Sequence, residues 1–417
     1  MDRRPDIANI VLNAENTVTE TSYLDVVNDI LEQIVDPGSP HGRSDPYGRL
    51  RTLWFPFDKP FSLPYQRLRR YLVRLGVDPV EFYRLFAVLV VPDVVAREYL
   101  GLSPEEVDLI TIARPAESDV RECYGLAMEE PIATLEGLDR FQRATGLTGA
   151  EVRELLWQRP AGLGPEAAGS FVRQGGPFVV LDEDGTRLVC DGGVPLEWFE
   201  RVSRFVRLAR RTGLSLTDLD LVLRSCCGNR LDGPALGILA VVRYLHNRLD
   251  LPVDVVCSLA APMDTAGITA DAGSTDLFGR TFGTGPASIA QRLISPGTVP
   301  EERTEPICVG DILAPANREF RRRVAGALAM SEADLATVVT RLRDHYGLPP
   351  AEPSPFDRGE VGLRALSLLH RVSRLSSALG ISVDELFQVL AALNRDPALR
   401  RHTTFPILLD LEHRPRR

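Results

Sequence analysis

The stretch LARRTGLSLTDLDLVL, residues 208–223, contains a helix end, a break and a helix start within a few positions. Gly213 can take the left-handed conformation that closes a helix. Ser215 then stands where an N-cap is needed, and Asp218, three residues on, sits at the capping-box position. The pattern is glycine, apolar residue, Ser/Thr/Asp, two residues, acid, then an apolar helix.

The same pattern recurs as LGVDPVEF from Leu75, LGLSPEEV from Leu100, TGLTGAEV from Thr145, LAMSEADL from Leu328 and LGISVDEL from Leu379. The predicted caps are Asp78, Ser103, Thr148, Ser215, Ser331 and Ser382, and the matching acids are Glu81, Glu106, Glu151, Asp218, Asp334 and Glu385. Pro79 and Pro104 fall at the first helical position, where a missing N–H costs nothing. Ala329 replaces glycine in one copy. Capping accounts for all six acids together, so they are not nominated as general acids. The spacing between copies is too irregular for a solenoid repeat. Helical hairpins with insertions of variable length are expected.

Helical periodicity extends from these corners. Leu24, Val27, Leu31 and Ile34 form a stripe in Tyr23–Val35; Trp198, Val202, Phe205 and Ala209 form another in Glu197–Arg210. Leu368, Val372, Leu375 and Leu379 form a third. Each stripe needs a partner surface, so the helices are expected to pack on one another. One segment departs from helix. PFVVLDEDGTRLVCDGG, Pro177–Gly193, has two short β-branched runs around Asp184-Gly185, which predicts a β-hairpin. The acids Asp182, Glu183 and Asp184 lack the ligand register of a calcium loop and read as a solvated turn. The fold class is thus mainly α: an irregular array of packed helical hairpins with a small β-hairpin near 177–190. The expected divisions are an N-terminal helical subdomain 1–160, a linker with the hairpin 161–195, a central helical subdomain 196–300 with a long loop 261–300, and a C-terminal helical subdomain 301–417.

Composition bounds the function. The chain has 417 residues, 44% of them hydrophobic and 25% charged, as in an ordinary globular protein, and a net charge of −9 argues against a nucleic-acid-binding role. Lys59 is the only lysine; the arginines are scattered among acids and mark no phosphate-binding patch. The six cysteines include no C-x-x-C pair, and the adjacent Cys226 and Cys227 read as ordinary thiols near a helix end, a vicinal disulfide being the rarer alternative. No apolar run approaches the ~18 residues of a membrane span; the best, Phe86–Val91 and Ala235–Val242, are far shorter. The opening MDRRPDIANI has no signal-peptide core. His41, His246, His345, His370, His402 and His413 show no metal spacing, GTGPAS at Gly283–Ser288 lacks a phosphate-loop ending, and no nucleophile elbow occurs. No catalytic residue, cofactor or metal site is nominated.

The opening RRPDIANIVLNAENTVTETSYLDVVNDILE, Arg3–Glu32, resembles the A subunit of bacterial insecticidal toxin complexes and the related virulence-plasmid A proteins. Further similarities follow in the same order: PFSLPYQRLRRYLVRLGVD from Pro60, AREYLGLSPEEVDLIT from Ala96, LDRFQRATGLTGAEVRELLW from Leu138, WFERVSRFVRLARRTGLSLTDLDLVL from Trp198 and STDLFGRTF from Ser274. The resemblance implies part of the α-helical shell of a large pentameric A subunit, on which a B–C cocoon docks. It implies a non-enzymatic structural or interaction role and protein partners: other copies of the chain or of a larger A subunit, cocoon components and a host receptor. Part of the shell alone is expected, because no apolar helix pair suited to a channel tip is read in it, and the Met directly before DRRPD suggests a fragment, a designed chain or a shortened relative. Made without a signal peptide, it would act in a secreted particle. The alternative is a stand-alone helical binding module contacting a host surface or secretion machinery through loop 261–300.

Overall fold

A computed structural model describes residues 22–37, 45–86, 92–156, 170–173, 179–264, 276–283, 313, 315, 318–346 and 360–395. The helices among them are, in order, α1 (Tyr23–Val35), α2 (Pro46–Thr52), α3 (Leu63–Arg74), α4 (Pro79–Phe86), α5 (Pro92–Leu100), α6 (Pro104–Thr111), α7 (Glu117–Tyr124), α8 (Leu138–Thr145), α9 (Gly149–Leu156), α10 (Leu196–Thr212), α11 (Leu216–Cys226), α12 (Gly233–Leu249), α13 (Val253–Ser258), α14 (Leu277–Phe282), α15 (Arg318–Ala327), α16 (Glu332–Tyr346), α17 (Glu360–Leu379) and α18 (Val383–Arg395). The described sheet has two strands, β1 (Val180–Leu181) and β2 (Leu188–Val189), antiparallel with Val180 opposite Val189. The mainly α class and the hairpin around Asp184-Gly185 are both borne out.

Each expected corner is formed. Gly76, Gly101, Gly146, Gly213 and Gly380 have φ between 65° and 73°, and Ala329 takes the same left-handed conformation at 52°. The caps divide by acid length. Glu106, Glu151 and Glu385 reach back to the backbone N–H of Ser103, Thr148 and Ser382 at 2.7–2.8 Å, completing reciprocal boxes. The shorter Asp218 and Asp334 stop at the cap hydroxyls, 2.8 and 2.7 Å away, while Ser215 and Ser331 still accept from the aspartate N–H groups. Backbone N–H donation holds the Glu151 and Glu385 carboxyls below the usual range. Gly146 also makes room: a Cβ there would stand 2.6 Å from the Arg210 guanidinium, which donates to the Thr145 carbonyl at the end of α8.

The core is built on α10. Trp198, Phe199, Val202, Phe205, Val206 and Leu208 are all at most 2% exposed, so this helix is buried around most of its circumference. Aromatic rings gather at its start: Phe199 meets Tyr124 edge-on at 5.8 Å, and Trp198 lies 5.8 Å from Phe141. The Tyr124 hydroxyl donates to the Phe199 carbonyl at 2.7 Å. Arg207, buried, sits 4.5 Å over the Phe57 ring and donates to the carbonyls of Lys59 and Trp54, fastening the 53–60 segment to α10. This core draws on residues from Phe57 to Cys257, so helices from before and after residue 160 share it. A second cluster runs from Val255 to Leu386 and takes in α14 to α18.

The two cores meet where α13, which lends Val255 to the second cluster, touches α17, and polar contacts join them there. Met263 N–H donates to Ser367 Oγ at 2.9 Å, and Arg371 donates to the carbonyls of Ser258 and Ala261 at 3.3 and 3.2 Å. Fully buried His370 lies between them: Arg374 Nε donates to its Nε2 at 3.2 Å, and Ser258 Oγ is 3.2 Å from its Nδ1. Since Nε2 accepts, the ring proton sits on Nδ1 and points to Ser258, whose hydroxyl donates onward to the Val255 carbonyl at 2.6 Å. Burial and the flanking arginines lower the His370 pKa to about 4.

The segment expected as a long loop, 261–300, departs from that reading where it is described. Leu277–Phe282 is helical, and Leu277, Phe278 and Phe282 are buried in the second core. Asp276 caps this short helix. Two phenylalanines four residues apart can fill a core through a single turn and a half, too short for periodicity to register. The rest of 265–300, including GTGPAS beyond Gly283, lies outside the described residues.

Candidate assembly surface

Chemistry finds little to work with. Among the described residues no group of three or more His, Cys, Asp or Glu could hold a metal ion. His246 Nδ1 lies 2.7 Å from the Leu251 carbonyl, just past the end of α12, and His370 belongs to the joint between the cores. His41, His402 and His413 lie outside the described residues. The acidic turn is occupied by its own backbone: Asp182 accepts from the N–H groups of Thr186 and Arg187 and from the Thr186 hydroxyl at 2.7–3.1 Å. Backbone donation lowers its pKa. Among the described residues no single helix is long and apolar enough to cross a membrane.

What stands out is a set of large apolar residues on one helix that no described residue buries. Helix α1 forms as its sequence dictates, with Ser22 accepting from Asp25 N–H at 3.2 Å. It packs against α2, and its half-buried residues are Val26, Val27, Ile30 and Val35 with Glu32. Glu32 accepts a hydrogen bond from Tyr47, which raises the tyrosine pKa. At the helix end, Asp36 accepts from Asp45 N–H at 2.8 Å and lies 3.8 Å from Arg49. Of the stripe read from the sequence, Val27 is half-buried and the other three residues are exposed. Leu24, Leu31 and Ile34 are 71%, 53% and 72% exposed, and Tyr23 beside them 82%. No residue of α1 is buried. An amphipathic helix normally buries its apolar stripe more fully.

Helix α3 supplies a second exposed stripe. Its inner side buries Tyr65 and Leu72, and Arg69 pairs with buried Glu98 at 2.7 Å. Its outer side shows Leu68, Tyr71 and Leu75, spaced i, i+3, i+7 and 43%, 65% and 76% exposed. The two helices differ in charge. Asp25, Asp29 and Glu32 lie on α1 with no basic residue, whereas Arg67, Arg69, Arg70 and Arg74 lie on α3 with no acid. Isolated exposed leucines are ordinary on a protein surface; helical stripes of them are the mark of a contact face. The sequence reading found the α1 helix and its stripe but expected the stripe to be covered by a neighbouring helix of the chain; of α3 it marked only the end, at Gly76.

Residues 1–79, which include both stripes, match the family model of the Salmonella virulence plasmid 28.1kDa A protein. The fold is similar to that of TcdA4 from Morganella morganii over 94% of this chain, with a TM-score of 0.51 and 15% sequence identity. A looser likeness links it to TcaA-TcaB from Yersinia pseudotuberculosis, with a TM-score of 0.40 and 17% identity over 98% of this chain and 16% of that one. The chain spans 24% of the length of TcdA4. No curated protein matches it. The family resemblance read from the opening stretch and the ordered motifs is thus found again, by sequence at the N-terminus and by fold along most of the chain.

Proposed function

We propose that this chain is a structural component of a bacterial toxin-translocation particle, a piece of helical shell that works by assembly and carries no catalytic step. The observation that supports it best is the largely exposed stripe of α1, inside the segment that matches the virulence-plasmid A protein family. Each leucine or isoleucine fully buried on association contributes about 1.5–3 kcal/mol. The stripe therefore holds back a substantial driving force until a partner arrives.

The partner favoured by the charges is a second copy, with acidic α1 of one chain against basic α3 of the next. The two patches differ, so the contact is head-to-tail and generates a ring wherever the rotation closes. Charge complementarity would speed and orient the encounter. In this reading the assembled particle is extracellular, and any cocoon or receptor contact is made by the particle, not by one chain.

Light scattering coupled to size exclusion tests it across a concentration series. Multimers that grow with concentration, and that Leu31→Asp with Ile34→Asp returns to monomer, are the expected result. A wild-type chain that stays monomeric at the highest concentration, with the double variant indistinguishable, would sink it. Salt should weaken the association by screening the α1–α3 charges.

A further inference from the structure

Cys226 ends α11 and Cys257 lies in α13, two helices packed side by side. Cys226 Sγ lies 4.0 Å from the Cys257 carbonyl. Cys226 is half-buried and open to a small reagent; Cys257 is 3% exposed and reachable only through its neighbour. Cys227, at the cap of α11, is buried too and is a third thiol nearby.

We propose that Cys226 and Cys257 form a latent disulfide, closed by exchange with a low-molecular-weight disulfide such as oxidised glutathione. The accessible Cys226 thiolate attacks one glutathione sulfur, forming a mixed disulfide and releasing one glutathione thiolate. The Cys257 thiolate then attacks Cys226 Sγ, forming the protein disulfide and releasing the second glutathione. Two protein thiols are oxidised, one glutathione disulfide is reduced to two thiols, and the two protons pass to solvent and product. A disulfide needs the sulfurs about 2.05 Å apart, and with Cys226 Sγ already 4.0 Å from the Cys257 carbonyl the approach is made by side-chain rotation on two helices that are already packed. The order of attack follows from exposure. Hydrogen bonding to Cys226 and burial push the Cys257 thiol up, so it waits as a thiol until its neighbour is activated. The bond would tie α11 to α13, whose Ser258 holds α17, and so stiffen the joint between the two cores.

The full chain is incubated with graded ratios of reduced to oxidised glutathione, quenched in acid and alkylated. The expected result is the loss of two thiols per chain and a link between tryptic peptides Ser225–Arg230 and Leu249–Arg280, with a mass loss of two hydrogens. Fragmentation between Cys226 and Cys227 assigns the link in the wild-type chain, so the result does not depend on a variant folding. Cys227→Ser should keep the cross-link and Cys226→Ser should lose it. A link through Cys227, a vicinal Cys226–Cys227 bond, or glutathione adducts that never resolve would each overturn the proposal. Thiol counting is independent of particle size, so it stands or falls apart from the assembly reading.

Discussion

Helices α1 and α10 carry the same kind of apolar stripe and meet opposite fates. In α10, Trp198, Val202, Phe205 and Ala209 are 2%, 0%, 1% and 5% exposed. In α1, Leu24, Leu31 and Ile34 are more than half exposed. Periodicity states which face of a helix seeks burial; it is silent on whether the partner lies in the same chain. Where the covering surface is intramolecular, as for α10, the stripe becomes core. Where no described residue covers it, as for most of the α1 stripe, Leu24, Leu31 and Ile34 stay open, as the proposed interface requires.

The largest effect expected from this contrast lies in α10. Phe205→Ala removes a ring that stacks on Phe171 at 6.1 Å and leaves a cavity the surrounding helices cannot fill. The expected cost is about 3–5 kcal/mol, read as a fall in the urea midpoint with little change in slope. A loss under about 1 kcal/mol would mean that α10 is not the central packing element, and the contrast with α1 would collapse.

A second effect tests the joint between the cores, where the α17 stripe shares its helix with polar groups. His370 is neutral and fully buried, its Nε2 facing Arg374 and its Nδ1 facing Ser258, with Arg371 also beside it. Its folded pKa of about 4 lies below the ordinary value of 6.5, so the unfolded chain takes up the proton first as the pH falls. Stability from this group is complete above about pH 6.5 and is lost progressively down to about pH 4, on the order of 3 kcal/mol in all. Urea midpoints measured across that window should fall steeply in the wild-type chain and less steeply in His370→Gln. Parallel slopes would show that His370 titrates no differently when folded.

The corners were fully legible in the sequence because they are local. Gly213, Ser215 and Asp218 determine their own geometry within six residues, and the same logic found all six sites. The hairpin was legible for the same reason. The helix Leu277–Phe282 was not, because one short turn carries no period. Nor was the role of Arg207, which looks like any other arginine in RVSRFVRLARR until the 53–60 segment arrives from about 150 positions away. The candidate surface was half legible. Its residues were identified as a stripe, but which of them stay exposed depends on how the helix is seated: Val27 is half-buried while Leu24, Leu31 and Ile34 are not.

A smaller effect follows from the one corner that lacks glycine. Ala329 holds φ at 52°, where a Cβ crowds the backbone. Ala329→Gly should raise stability by about 1 kcal/mol, seen as a higher urea midpoint with unchanged helicity. The gain belongs to the corner alone and needs no partner surface. An unchanged or lower midpoint would show that the greater freedom of glycine in the unfolded chain cancels the relief of strain.

The smallest effect on stability should come from the most hydrophobic-looking changes. Leu24→Ser with Leu31→Ser removes two apolar side chains from α1, yet neither is buried in the folded chain. In dilute solution, where copies are apart, the unfolding midpoint should move by no more than about 0.5 kcal/mol. Raising the wild-type concentration should then increase its midpoint, because association stabilises the folded state by mass action. The double variant should show no such rise. A loss of several kcal/mol on dilution-independent unfolding would mean that the stripe is already covered within the chain. In that event α1 would be a second α10, and the surface would have no vacancy for a partner to fill.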